Sequence, residues 1–193
     1  MLRFLLILPR LRSIGALAML VLGWSGDPAA AQDRSLEYAV KATYLYKFVP
    51  FVAWPSNTFT SPASRFDICI IGDPNFAILV TNAVAGQSVS THAIAVRRVT
   101  TLAEEGTCQI LFVGGGEPEV TNAALVAVRG KPVLTVTDAA PSGDRGIVNF
   151  VLLGDRVRFE IDLGQAARNG IAISSKLLSL AVAVAPAPGA RQP

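Results

Sequence analysis

The chain has 193 residues, 51% of them hydrophobic and 16% charged, with 17 Lys plus Arg against 14 Asp plus Glu. It is too apolar for an intrinsically disordered protein and too short for a large multidomain enzyme. Apart from Arg3, Arg10, Arg12 and Asp27 it carries 14 basic and 13 acidic residues, and Arg97-Arg98 is the one adjacent basic pair among them, so no clustered cationic surface for nucleic acid is encoded.

Residues 1–31 read as an export signal. A basic stretch through Arg12 is followed by an apolar core from Ile14 to Trp24, a polar break at Ser25-Gly26-Asp27-Pro28, and the small residues Ala29, Ala30 and Ala31. Cleavage is expected between Ala31 and Gln32. The apolar core is shorter than the roughly 20 residues of a membrane span, and no cysteine lies near the cleavage site to direct lipoprotein processing. The expected mature protein is a single domain over residues 32–184, exported to an oxidising compartment such as a bacterial periplasm and not inserted in the membrane.

In chain order, residues 33–49 read as a helix, because Leu36, Val40, Tyr44 and Phe48 recur every four residues and Pro50 ends the pattern. A loop follows Trp54-Pro55. Phe66 to Ile71 reads as a strand stopped by Gly72-Asp73-Pro74, Asn75 to Ala85 as a helix, and Ala93 to Val99 as a strand. Ile110 to Val113 is the next strand, ended by Gly114-Gly115-Gly116, and Pro118 to Val128 the next helix, ended by Gly130. Val133 to Val136, Gly146 to Leu153 and Val157 to Ile161 are further strands, the last two joined by the hairpin signal Gly154-Asp155-Arg156. A short helix around Gln165 to Arg168 and a second from Lys176 to Val184, capped by Ser174-Ser175, complete the domain, and residues 185–193 read as a disordered tail. Strands alternating with helices predict an α/β domain. Its central sheet is mostly parallel, with one late antiparallel hairpin and helices on both faces.

Catalytic signatures are sparse. There is no nucleophile elbow, zinc-protease helix or phosphate loop, and His92 is the single histidine. The glycines at 114–116 stand where a phosphate-binding turn would lie, but Glu117 and Glu119 follow them and would repel an anion. Glu160 and Asp162 share a strand face with Arg156 and Arg158, the pattern of a solvated charged face. No enzyme, cofactor or metal site is expected. Cys69 and Cys108, the only cysteines, are either a disulfide, which would stabilise by about 4 kcal/mol, or two buried thiols.

Aromatic residues are unevenly placed. Of the 12 beyond residue 31, six lie between Tyr38 and Trp54, including all three tyrosines. On a helical wheel Leu36, Val40, Tyr44, Phe48 and Phe51 cover one side, and Tyr38, Leu45 and Val49 point another way. A helix apolar on two sides is buried twice, either wholly within its own domain or partly against a partner. Tyr44, Phe48, Phe51, Trp54 and Pro55 are the candidate contact residues, since aromatic side chains with polar tips suit protein interfaces.

The stretch KATYLYKFVPFVAWP, residues 41–55, resembles the opening signature of the YfiR family. FDICIIGDPNF at 66–76, CQILFVG at 108–114 and GIVNFVLLGDRVRFEIDLGQAARNGIAISSKLLSLA at 146–181 agree with it in order and spacing. The resemblance implies a periplasmic α/β protein, commonly a homodimer, that binds the periplasmic sensor part of an inner-membrane diguanylate cyclase and represses it. Such repression lowers cyclic di-GMP signalling and biofilm formation, and in the best-known system an outer-membrane lipoprotein sequesters the repressor. Cys69 and Cys108 match one cysteine pair of that repressor, whereas its second pair has no counterpart here. Asp162 stands where many members carry Asn, and the triple glycine is atypical. Two other readings accompany this one. A small-molecule sensor, acting on another membrane receptor or a histidine kinase, would use a crevice near Gly72-Asp73 or Gly114–Gly116. An exported hydrolase would depend on His92.

Overall fold

The structure, a computed structural model, describes residues 28–100, 108–138 and 145–187; the expected signal up to Asp27 and residues 188–193 of the expected tail lie outside the described residues. Helix α1 (Pro28–Lys47) passes into a 3-10 turn (Val49–Phe51) and the two-residue strand β1 (Val52–Ala53). There follow β2 (Phe66–Gly72), α2 (Pro74–Ala83), β3 (Ser88–Val89), β4 (His92–Arg98), β5 (Ile110–Gly114), α3 (Pro118–Ala127) and β6 (Leu134–Asp138). The chain continues through β7 (Val148–Leu153), β8 (Arg156–Asp162), α4 (Leu163–Arg168), β9 (Ala172–Ile173), α5 (Ser175–Leu178) and β10 (Ala183–Ala185).

Eight strands form one sheet in the order β10-β8-β7-β6-β5-β2-β4-β3, and β1 pairs separately with β9. The five central strands, β7-β6-β5-β2-β4, are all parallel, and β7–β8 is the expected late hairpin. β3 and β4 form a second one at the sheet edge, around Ser90 at a φ of 53°, with only two residue pairs and hence too short to show a period in the sequence.

Period-two alternation sorts the sheet residues between two cores. Ile68, Ile70, Ile110, Phe112, Leu134, Val136, Val148 and Phe150 pack with α1 and α2 on one face. Cys69, Ile71, Leu111 and Val113 pack with Ala124 and Val128 of the α3 segment on the other. Toward β7 this second face turns polar. Thr137 Oγ1 donates to Asn149 Oδ1 at 3.0 Å, Asn149 Nδ2 donates to Glu160 Oε2 at 3.1 Å, and the N–H groups of Gly146 and Ile147 donate to Thr137 and Thr135 Oγ1. Each buried polar group there has a partner, as a low-dielectric site demands.

The C-terminal segment differs from expectation. Ser174 does cap a helix, accepting the Leu177 N–H, but α5 is one turn long, and Ala183–Ala185 pairs parallel with Glu160–Asp162 of β8. Ala185, read as the start of the disordered tail, is thus in a strand. An alanine-rich stretch favours helix only weakly, and the open edge of β8 offers a hydrogen-bonding ladder that outweighs that preference.

Candidate functional site

The aromatic segment divides among three environments. Phe48 keeps an α-helical backbone, its N–H donating to the Tyr44 carbonyl at 3.0 Å, and enters the core at 1% exposure, because a row of every fourth residue winds around the helix by about 40° per step. Its ring lies 5.2 Å from Phe159 and 6.0 Å from Phe150, and Tyr44 stacks on it at 5.7 Å. Phe48 is therefore a core residue, which corrects its reading as a candidate contact residue. Tyr44, Phe51, Trp54 and Pro55 are half-buried. Trp54 meets Phe66 edge-to-face at 5.3 Å, and the Pro55 carbonyl accepts the Thr58 N–H in a second 3-10 turn, Ser56–Thr58.

These residues do not form one patch. Phe51 and Trp54 line an apolar groove of about 520 Å³ against Val89 and Ile94 at the β3–β4 edge. Tyr44 lines another, of about 680 Å³, between α1 and the tip of the β7–β8 hairpin, together with Leu36, Val40, Leu152 and Val157. This second groove is open and mixed: Asp33, Glu37, Asp155, Arg156 and Arg158 line it beside the apolar residues, of which Leu36 is 66% exposed and Leu152 52%, with Val40 also exposed, while Leu153, 54% exposed, alternates to the other face of the strand. Leu36 and Val40 carry the expected second apolar side of the helix. Leu152 and Leu153 escaped the sequence reading because the run from Gly146 to Leu153 looks uniformly buried, whereas its last residues extend past the core.

A cleft of about 410 Å³ opens at the carboxyl ends of β5 and β6, against Arg34, Glu37, Tyr38 and Lys41 in the middle of α1. Gly114–Gly116 line it, as the crevice reading expected, but Gly72 and Asp73 do not. At Gly72, with φ +128°, a Cβ would meet the Gly114 carbonyl oxygen at 1.8 Å, so these two strand ends are pinched shut. Asp73 caps α2, accepting the Asn75 N–H at 2.8 Å. Lys41 lies in this cleft at 2% exposure, an unusual burial for lysine. Its ammonium donates to Glu37 one helical turn away and, at 2.6 Å, to Asp138 at the end of β6. Nearby, burial first, then the Asp138 and Asp73 charges, raises the Tyr38 phenol above its ordinary pKa. The sequence reading missed Lys41. Its position in the 38-41-42-45 row of the inner helix face was the available signal.

His92 stacks on Phe59 at 3.9 Å, and its Nδ1 donates to the Ser64 carbonyl at 2.6 Å, so the imidazole holds the 59–64 loop. Cys69 and Cys108 form a disulfide with Cα atoms 5.9 Å apart, buried in the second core. Arg97 Nη2 lies over it, 3.7 Å and 3.9 Å from the two sulfurs. Among the described residues no group of three or more His, Cys, Asp and Glu side chains is arranged to hold a metal ion, and no helix is long and apolar enough to cross a membrane.

The family model for YfiR/HmsC-like proteins, DUF4154, matches residues 38–182, about three quarters of the chain. The chain belongs to the YfiR/HmsC-like family. No curated protein matches the chain. YfiR/HmsC-like proteins are in general periplasmic regulators without catalysis of their own, and they work through a membrane-bound cyclase. The match begins at Tyr38 on the inner face of α1 and ends at Val182, next to β10. It thereby takes in the buried lysine, the aromatic corner, the disulfide and the hairpin. Leu36, 66% exposed on α1, precedes it.

Proposed function

We propose that this YfiR/HmsC-like protein binds the periplasmic sensor part of an inner-membrane diguanylate cyclase and holds it inactive, lowering cyclic di-GMP output and biofilm formation. The observation that carries this reading is the exposed apolar surface formed by Leu36 and Val40 on α1 and Leu152 on the hairpin tip, with Tyr44 in the groove between them. Leucines exposed by half or more on two adjoining elements cost solvation in the free protein and are compensated when a partner covers them. Repression of this kind needs no chemistry from the repressor, only tighter binding to one state of the cyclase than to the other. Phe51, Trp54 and Pro55, with their own groove, are proposed as a second contact at the other end of α1. The reading extends to an exported, signal-cleaved protein that dimerises and is sequestered by an outer-membrane lipoprotein; sedimentation of the purified protein tests the dimer.

The test is binding of the purified protein to the isolated periplasmic domain of the cyclase. Leu36→Asp with Leu152→Asp is expected to abolish binding, and Trp54→Ala to weaken it. Unchanged binding in both variants, each folded, would remove the contact surface. A second reading is supported by the cleft over Gly114–Gly116: a small molecule bound there, against α1, would tune the same contact. A metabolite that raises the melting temperature of wild type but not of a Gly115→Trp variant supports that reading.

A further inference from the structure

On the second face of the sheet, away from the aromatic corner, a polar pocket of about 380 Å³ lies between the end of α3, α4 and the middle of β6. Three arginines line it: Arg129 just beyond α3, Arg168 in the last turn of α4, and Arg145 on the approach to β7. The other lining residues are Leu125, Thr135, Gln165 and Asn169, and among the described residues no carboxylate lines the pocket.

Arg145 is compensated by Glu160, which accepts from its Nη1 at 2.6 Å. Arg129 and Arg168 have no carboxylate partner among the described residues. Placement at helix carboxyl ends accounts for one cation per helix. It does not account for two such ends converging on one pocket with a third arginine. The pocket is lined by hydrogen-bond donors as well. Thr135 is 2% exposed, and its Oγ1 accepts the Ile147 N–H at 2.9 Å, while its own proton has no acceptor among the described residues. The amide groups of Gln165 and Asn169 already donate to oxygens of the protein, Gln165 Nε2 to the Arg145 carbonyl at 2.8 Å and Asn169 Nδ2 to the Val133 carbonyl at 2.9 Å. These bonds hold the two side chains, and with them the pocket walls, in place.

We propose that this pocket binds a phosphate or sulfate group, with Arg129 and Arg168 balancing a dianion and the Thr135 hydroxyl donating to one of its oxygens. The charge balance selects the class: two uncompensated guanidiniums match a doubly charged oxyanion better than a monocarboxylate, and guanidiniums suit its oxygens by paired hydrogen bonds. The polar lining favours a free phosphate or a small phosphate ester over the acyl-bearing headgroup of a lipid. This site is independent of the cyclase reading.

The test is calorimetric titration of the purified protein at low ionic strength with sodium phosphate, glycerol phosphate and acetate, against sodium chloride at matched ionic strength. Saturable binding of phosphate and glycerol phosphate is expected, with acetate at least tenfold weaker. Arg129→Gln with Arg168→Gln should weaken phosphate at least tenfold. Both side chains are exposed, so this variant should melt no lower than wild type in phosphate-free buffer. Heats of phosphate equal to those of chloride, or undiminished binding in the double variant, would overturn the proposal. So would binding to phosphatidylglycerol vesicles with none to the free phosphates.

Discussion

Lys41 shows how one residue ties the helix to the sheet. Its side chain is 3% exposed, while Glu37 and Asp138 keep 24% and 21%, so the ammonium has left water and the two carboxylates have not entirely done so. Removing a buried cation leaves its carboxylates facing each other across an apolar rim. We expect Lys41→Met to destabilise the protein by about 2–4 kcal/mol in urea unfolding, with part of the loss recovered when Asp138→Asn is added; a loss below about 1 kcal/mol would contradict the assignment. Tyr38 reports on the same cluster. Its raised pKa means that the folded protein holds the phenol proton more tightly than the unfolded chain does. That contribution to stability is fully present below the ordinary value of 10.0 and is lost as pH rises through the higher folded value. Titration of the Tyr38 ring by NMR should give a midpoint above 10.0, moved downward by Asp138→Asn; a midpoint at or below 10.0 in wild type would show that Tyr38 lacks this environment. Periodicity marked the inner helix row in the sequence. It carried no sign that a lysine in that row would find Asp138, 97 residues away, because that pairing depends on where β6 ends.

At the scale of elements, long apolar runs were legible and short pairings were not. β2, β5 and β6 are recognisable from composition because a parallel strand buried on both faces is apolar throughout. β1, β3 and β9 have two residues each, too few for a period, and they exist because neighbouring backbone completes them. The chain from Ala181 to Ala185 has helical composition but sits beside an open strand edge, so tertiary pairing decided its state. Phe48 is buried while Leu36, read on the same side, is exposed, because a row of every fourth residue winds around the helix by about 40° per step. The disulfide joins β2 to the residue two before β5 and closes a separation of 39 residues. Replacing both cysteines with Ala should lower unfolding free energy by about 4 kcal/mol by the loop-closure argument, and reductant should lower that of the wild type similarly. Equal urea midpoints for oxidised and reduced protein would show that the bridge contributes nothing.

For the whole molecule, the order of the parallel strands places β2 first, with β4 on one side of it and β5, β6 and β7 on the other, so the chain reverses direction across the sheet between β2 and β5. Ligand crevices form at such a reversal. Here Gly72 and Gly114 close the reversal point itself, and the cleft opens one strand further on, beside Lys41. α1 forms a wall of this cleft with its middle turns, fills the core with Leu45, and shows Leu36 and Val40 to solvent. One helix thus joins a pocket to an outward apolar face, which is the arrangement a regulator needs if a bound molecule is to alter a protein contact. The most direct test of the account is the affinity of the purified protein for the periplasmic domain of the diguanylate cyclase, measured for wild type and for Leu36→Asp with Leu152→Asp. The account predicts saturable binding by wild type and at least a hundredfold loss in the variant, with an unchanged melting temperature. No binding by wild type, or equal binding by a folded variant, would contradict it.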